Sequence, residues 1–263
     1  MAATTAPTTA RTRPVPAQGG GFGGALAAEW IKLRGLRSTW TCIGLTLAMA
    51  AGIALLGTYT MVQNGMTGMD ANALTPTVIM IPQFALITLA ALLITGEYAT
   101  GSIRTTLTTV PRRGSALAAK GVILSLVALT TGALVGLLSA LITIGVAGSD
   151  GITTAGLTHG IGGTAAYSVA VSLFVLGLGA ALRSTAGTVA TTIAVVMGIP
   201  MIATLVGNEV LNTVSEYSPT SAGMVLIGGG ADPYGWPVAL MVLVAWACAA
   251  VAAGYALLRG RDA

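Results

Sequence analysis

Every lysine and arginine of this chain falls on one side of a series of long charge-free stretches. Six runs hold no Asp, Glu, Lys or Arg: 38–69, 71–96, 121–149, 160–182, 184–208 and 233–258. Each is long enough for a helix that crosses a bilayer, which needs about 20 apolar residues. Threaded through a membrane six times, the chain sorts its charges. Arg11, Arg13, Lys32, Arg34 and Arg37 precede the first run; Arg104, Arg112, Arg113 and Lys120 lie between the second and third. Arg183 separates the fourth from the fifth, and Arg259 and Arg261 follow the sixth, which completes the twelve basic residues. The connections on the other side hold Asp70, Asp150, Glu209, Glu216 and Asp232, and no base. An excess of Lys and Arg marks the cytoplasmic loops. The pattern therefore predicts an all-α membrane protein with six transmembrane helices and both termini in the cytoplasm. A wrong number of spans would scramble the segregation.

Only 8% of the 263 residues are charged, against about 25% in a soluble domain. That leaves one membrane domain and no room for a second globular one. The net charge of +4 does not imply nucleic acid. The bases sit at span ends, where they set orientation and meet anionic lipid headgroups. Cys42 and Cys248 both fall inside spans, without a CxxC or a nearby His. They read as small packing residues rather than a disulfide or zinc site. The first apolar run begins near Thr41, too far in for a cleaved leader, so the first span is expected to stay in the protein.

Residues 1–21 are rich in Thr, Ala, Pro and Gly and are expected to form a disordered cytoplasmic tail. The membrane domain is expected over 22–263, with spans at about 41–62, 77–96, 115–147, 161–182, 184–206 and 238–258. Phe22, Leu26, Trp30, Leu33, Leu36 and Trp40 recur at helical spacing, which predicts an N-terminal interfacial helix along the cytoplasmic leaflet. The longest outer connection, 207–236, is half apolar and broken by prolines. Short re-entrant helices before span six are expected there. Gly132 and Gly136, four apart in span three, suit close helix packing inside the subunit. No internal repeat is evident.

Three constellations bear on function. The inner loop after span two ends a charge-free run with Glu97, then places Ile103, Leu107 and Val110 on one helical face, stopped by Pro111 and followed by Arg112 and Arg113. Such a loop suits docking into a groove of a soluble partner; it equally suits a basic loop that only sets topology. Second, the middle of the spans carries no carboxylate or base, which argues against a proton-coupled carrier. The expected pathway is apolar with scattered hydroxyls and amides: Thr46, Thr58, Asn64, Gln83 and Thr88. That suits a hydrophobic or amphipathic cargo such as a drug, a lipid-like molecule or a modified peptide. Third, Met61, Met66, Met69 and Met80 read as gap fillers rather than a Cu(I) site, and His159 stands alone, so no metal is expected. The run Gly114 to Gly121 lacks the glycine before Lys120 and the hydroxyl after it, so it forms no phosphate cradle.

The order of short motifs along the chain resembles permease subunits of the ABC-2 family of ABC transporters. Glu97, Gly101, Ser102 and Ile103, followed by Leu107, Thr108 and Pro111, match the family's pattern after span two. Ala28 to Arg34, Leu182 to Gly187, Tyr217 to Gly223 and the closing Arg259 to Asp262 resemble other family segments. The resemblance implies that two six-span subunits pair, most simply as a homodimer, and that each docks onto a separate ATPase subunit. ATP and Mg would then be cofactors of that ATPase, with none on this chain and no enzyme activity of its own. By position, 101–110 would be the coupling helix, with Glu97 at its hinge and able to pair with a base near the connecting helix. Gly101, Ser102, Ile103, Arg104, Leu107, Pro111, Arg112 and Arg113 would face or shape the ATPase contact. Glu29, Trp30, Lys32 and Arg34 would lie on the connecting helix. The expected role is an exporter in a bacterial plasma (inner) membrane. The alternatives are a non-transporting sensor or immunity subunit, an ATP-independent carrier, and an intramembrane enzyme, which would need a catalytic pair that the spans do not supply.

Overall fold

A computed structural model describes residues 21–65, 75–101, 113–149, 152–230 and 232–260. Every regular element among them is helical. In chain order these are α1 (Gly21–Gly35), α2 (Arg37–Gln63), α3 (Thr75–Met80), α4 (Gln83–Ala99) and α5 (Arg113–Ala147), then α6 (Thr154–Leu182), α7 (Thr185–Val206), α8 (Glu209–Glu216), α9 (Pro219–Gly228) and α10 (Trp236–Gly260). Five of them, α2, α5, α6, α7 and α10, are long and apolar enough to cross a membrane. The expected tail lies, apart from Gly21, outside the described residues.

The expected second span differs. In place of one helix over 77–96, the chain makes α3, turns at Ile81 and Pro82, and starts afresh as the 17-residue α4. Proline lacks the N–H that would continue the ladder, and its ring clashes with the preceding turn. At 1.5 Å per residue α4 spans about 25 Å, short of the hydrocarbon thickness of about 30 Å. It is nonetheless deeply packed: Ile87, Ala90 and Ala91 are fully buried.

At the centre stands α6, which packs against α4, α5 and α10. Glycines let the backbones meet. A Cβ on Gly132 would lie 2.5 Å from the Ser168 hydroxyl, and one on Gly136 would lie 2.7 Å from the Ile161 Cα. The glycine pair of α5 thus serves packing within the subunit. On the opposite face of the crossing, Gly177 of α6 meets Gly254 and Ala250 of α10.

Two wide turns interrupt the long helices, His159–Gly163 in α6 and Ala194–Gly198 in α7. The second leaves the Val196 carbonyl to accept the Thr220 hydroxyl of α9. Tyr167 donates to Gln83 at 2.6 Å, and the Gln83 amide donates to the Met80 carbonyl at 2.7 Å. These bonds tie the short, largely buried α9 to α7 and tie α6 to α4 and α3, and they satisfy polar groups that apolar surroundings would penalise.

α1 turns a mixed face to the protein and leaves most of its apolar stripe outside. Ala25, Glu29 and Leu33 are buried, whereas Phe22, Trp30 and Leu36 are exposed. An inward carboxylate decides the rotation: Glu29 has its partners inside. The helix ends at Gly35, Leu36 turns the chain with extended backbone, and Trp40 donates to the Arg34 carbonyl at 3.1 Å.

Candidate functional site

Four charged side chains meet where α1, α4 and α5 come together. Lys120 Nζ lies 2.6 Å from Glu29 Oε2 and 3.0 Å from Glu97 Oε1. Lys32 Nζ lies 2.9 Å from Glu97 Oε1 and 3.0 Å from Glu29 Oε1. Two carboxylates thus bridge two ammonium groups in a closed, neutral ring. Three members are buried, their side chains 3%, 5% and 11% exposed for Lys120, Glu29 and Glu97; Lys32 is 42% exposed. Buried charges persist only when paired in this way.

Each member is placed by its helix. Glu29 and Lys32 are one turn apart on α1, so their side chains reach the same point. Glu97 stands one residue past the charge-free run that ends at Gly96, in the last turn of α4. Lys120 comes from α5, which has 35 residues. That is about 52 Å of helix, well beyond a bilayer's thickness, so its first turns project on the basic side. The ring therefore ties three helices at the end of α4, just before residues 102–112, which lie outside the described residues. Glu97 Oε2 has no hydrogen-bond partner among the described residues.

Burial alone would raise the Glu97 carboxyl, but Lys120 and Lys32 outweigh it and hold the group below its ordinary value. Burial would lower the Lys32 ammonium, yet the two glutamates raise it above 10.5. For Glu97, depressed in the folded state, the stabilisation is complete above the unfolded carboxylate value and is lost as pH falls through the folded one. For Lys32, raised in the folded state, it is complete below 10.5 and is lost as pH rises through the folded value. Glu97 and Lys32 thus both stay charged from about pH 5 to about pH 10. The melting-temperature difference between the wild type and Glu97→Gln should stay constant from about pH 6 to 9 and shrink only below about pH 4. A titration of that difference centred near neutrality would contradict the charge assignment.

Nearby bases are also engaged. The Arg183 guanidinium stacks over the Tyr98 ring at 5.3 Å, and Arg34 over Trp30 at 5.6 Å. Arg183 and Ser184 make the short turn from α6 to α7; Arg183 takes a left-handed conformation (φ 55°), and Ser184 caps α7 by accepting from the Gly187 N–H at 3.3 Å. This turn touches the end of α4 beside Glu97.

The remaining expected site residues fall differently. Gly101 closes α4 with φ 70°. Ser102, Ile103, Arg104, Leu107, Pro111 and Arg112 lie outside the described residues, and Arg113 opens the backbone of α5. The expected pathway residues each have a polar partner inside the protein. Thr46 donates to the Cys42 carbonyl at 2.8 Å, Thr88 to Phe84 at 2.8 Å, and Asn64 to Thr60 at 2.8 Å. Thr58 meets Thr143 at 3.3 Å, and Gln83 bonds as described above. None of them lines the cavity of about 470 Å³ beside Lys32 and Thr100 or the groove described below.

Sequence reasoning missed Lys120, which passed for a loop base that sets topology. A signal was present. Among the bases of that side stand few acids, chiefly Glu29 and Glu97, and a buried acid there requires a buried base. The apparent nucleotide-loop run from Gly114 to Gly121 is helix, with Lys120 directed into the ring.

Chemically, the ring is a joint. It holds no nucleophile, and among the described residues no three His, Cys, Asp or Glu side chains are grouped to hold a metal ion. Its asset is rigid, charge-specific attachment of three helices.

No curated protein matches the chain. A family model described as ABC-2 family transporter protein matches residues 25–201. That interval holds most of α1, all of α2 to α6, most of α7 and all four members of the ring. Because the match covers more than half of the chain, this membrane protein belongs to the ABC-2 family of transporter proteins.

Proposed function

We propose that the chain is the permease subunit of an ATP-driven exporter, crossing a bacterial plasma membrane six times with both ends in the cytoplasm. In this reading α3 and α4 together make the second crossing, and α8 and α9 sit in the outer leaflet. Two copies pair and form the path for a hydrophobic or amphipathic cargo. A separate ATPase subunit, carrying ATP and Mg, docks on residues 101–110, with Arg104, Arg112 and Arg113 at its rim.

The observation that carries this reading is the buried ring of Glu29, Lys32, Glu97 and Lys120. A topology-setting loop needs only exposed bases. A charge-paired joint at the root of that loop is what force transmission requires: displacement of the loop moves α4, and through the ring α1 and α5 follow. The dense apolar packing of α6 against its neighbours carries the movement inward.

Co-purification from the native host is the direct test. A stoichiometric ATPase should accompany the protein in mild detergent. With both reconstituted in vesicles, Glu97→Ala or Leu107→Asp should abolish cargo-dependent ATP hydrolysis or ATPase retention while membrane insertion persists. Normal ATPase association and transport in both variants would remove 97–110 from the coupling role. Reproducible absence of any ATPase would favour a carrier independent of ATP.

A further inference from the structure

A groove of about 690 Å³ opens between α5, α6 and α10. Ala118 and Val122 of α5, Leu173 of α6, and Cys248, Ala252 and Tyr255 of α10 form its walls. Small residues stand where the helices diverge, so the gap is not filled from within. Ala118, Val122, Cys248 and Ala252 are all exposed, so the groove faces outward. It lies at the basic end of the bundle, since α5 enters it at Gly114 and α10 leaves it at Tyr255, one turn before Arg259. The Arg259 guanidinium stands over the Tyr255 ring, 5.3 Å from its centre. It is exposed, and no described carboxylate pairs with it.

An open apolar groove on a membrane-crossing face meets hydrocarbon, not water. Left empty, its walls would lack contact partners; filled with water, that water would find almost no polar partner. The molecule at hand is a lipid chain. The volume falls in the range of about 300–1,000 Å³ typical of ligand pockets. At the mouth, at headgroup level, stands a guanidinium, which binds phosphate oxygens in a bidentate fork. We infer that this groove binds one phospholipid with an anionic headgroup from the leaflet on the basic side, its acyl chain between α5 and α10 and its phosphate at Arg259. The inference requires only that the chain spans a membrane, and it stands apart from the transport reading.

The test uses the full-length protein in mild detergent, exchanged against equal phosphatidylglycerol and phosphatidylcholine. Native mass spectrometry should find one phosphatidylglycerol retained per chain. Arg259→Gln should reduce the preference for phosphatidylglycerol about fivefold, the loss of one base near a charged leaflet. Ala252→Trp should fill the groove and eliminate the retained lipid; size-exclusion profiles check that both variants fold. In case the tryptophan variant does not fold, a phosphatidylglycerol with a photoreactive acyl chain should label wild-type peptides around Val122 and Cys248. Equal retention of the two lipids by the wild type and Arg259→Gln would overturn the proposal, as would labelling spread evenly over the exposed faces of α2 and α7. With Cys42 replaced by Ala, efficient cross-linking of Cys248 between two copies in the membrane would also overturn it, by showing that a second copy covers the groove.

Discussion

Replacing Lys120 by Met is expected to destabilise the folded protein by about 3–5 kcal/mol, the range for breaking a buried ion pair from one side. The substitution leaves Glu29 without its 2.6 Å partner and Glu97 without its 3.0 Å partner, and Lys32 alone then faces two carboxylates. The double change Glu29→Gln with Lys120→Met behaves differently. It removes one charge of each sign and leaves Lys32 and Glu97 paired at 2.9 Å. Most of the lost stability should return, since exchanging a whole buried pair for neutral groups is often near neutral. Lys32→Met should be mild, under about 1 kcal/mol, because that side chain stays partly in water. Tryptophan fluorescence melts in detergent would rank the four proteins. A Lys120→Met protein as stable as the wild type, or a double variant worse than the single one, would show that the ring does not hold α1, α4 and α5 together.

The long helices were legible because hydropathy and charge placement are properties of composition along the chain. Residues 41–62 became Arg37–Gln63, and 238–258 became Trp236–Gly260. The short Arg183 turn was legible for the same reason: nothing else separates two charge-free runs. The break before α4 was not, because Pro82 in an apolar stretch can kink a helix or end it, and only the packing around α3 and α4 decides. The apolar stripe of α1 was legible, but the face that α1 turns to the protein was not, because it is set by partners on α4 and α5. Glu29 points inward to those partners, while Phe22 and Trp30 stay on the outer face. Lys120 escaped because its role depends on the rotation of α5, which sequence spacing does not reveal without its neighbours. The hydroxyls expected along the pathway bond locally. Threonines in apolar helices commonly bond their own helix backbone four residues back, and Thr46 and Thr88 do so here.

Gly177→Val should prevent a stable bundle from forming. A Cβ at this position would meet the Ala250 carbonyl and lie 2.5 Å from the Val251 nitrogen. Both obstacles are backbone of α10, so no rotamer change relieves them and the two helices must separate. From the other side Gly254 presses on the Gly177 carbonyl, where a Cβ would lie 2.5 Å away, so the contact is main chain against main chain on both helices. Overpacking in a dense core costs about 1–3 kcal/mol when neighbours can give; here they are main chain, and the penalty should exceed that range. Tyr167 and Leu176 of α6 and Leu243 of α10 belong to one buried core, so loss of the crossing should spread through it. Gly145→Ala is the matched control. Gly145 lies in α5 with nothing within 4 Å of an added Cβ, so alanine should be neutral or should stabilise by about 0.5–1 kcal/mol through helix propensity. Gly177→Val should aggregate on size exclusion while Gly145→Ala elutes as the wild type does. A monodisperse Gly177→Val protein with an unchanged melting point would mean that α6 and α10 do not pack at this distance.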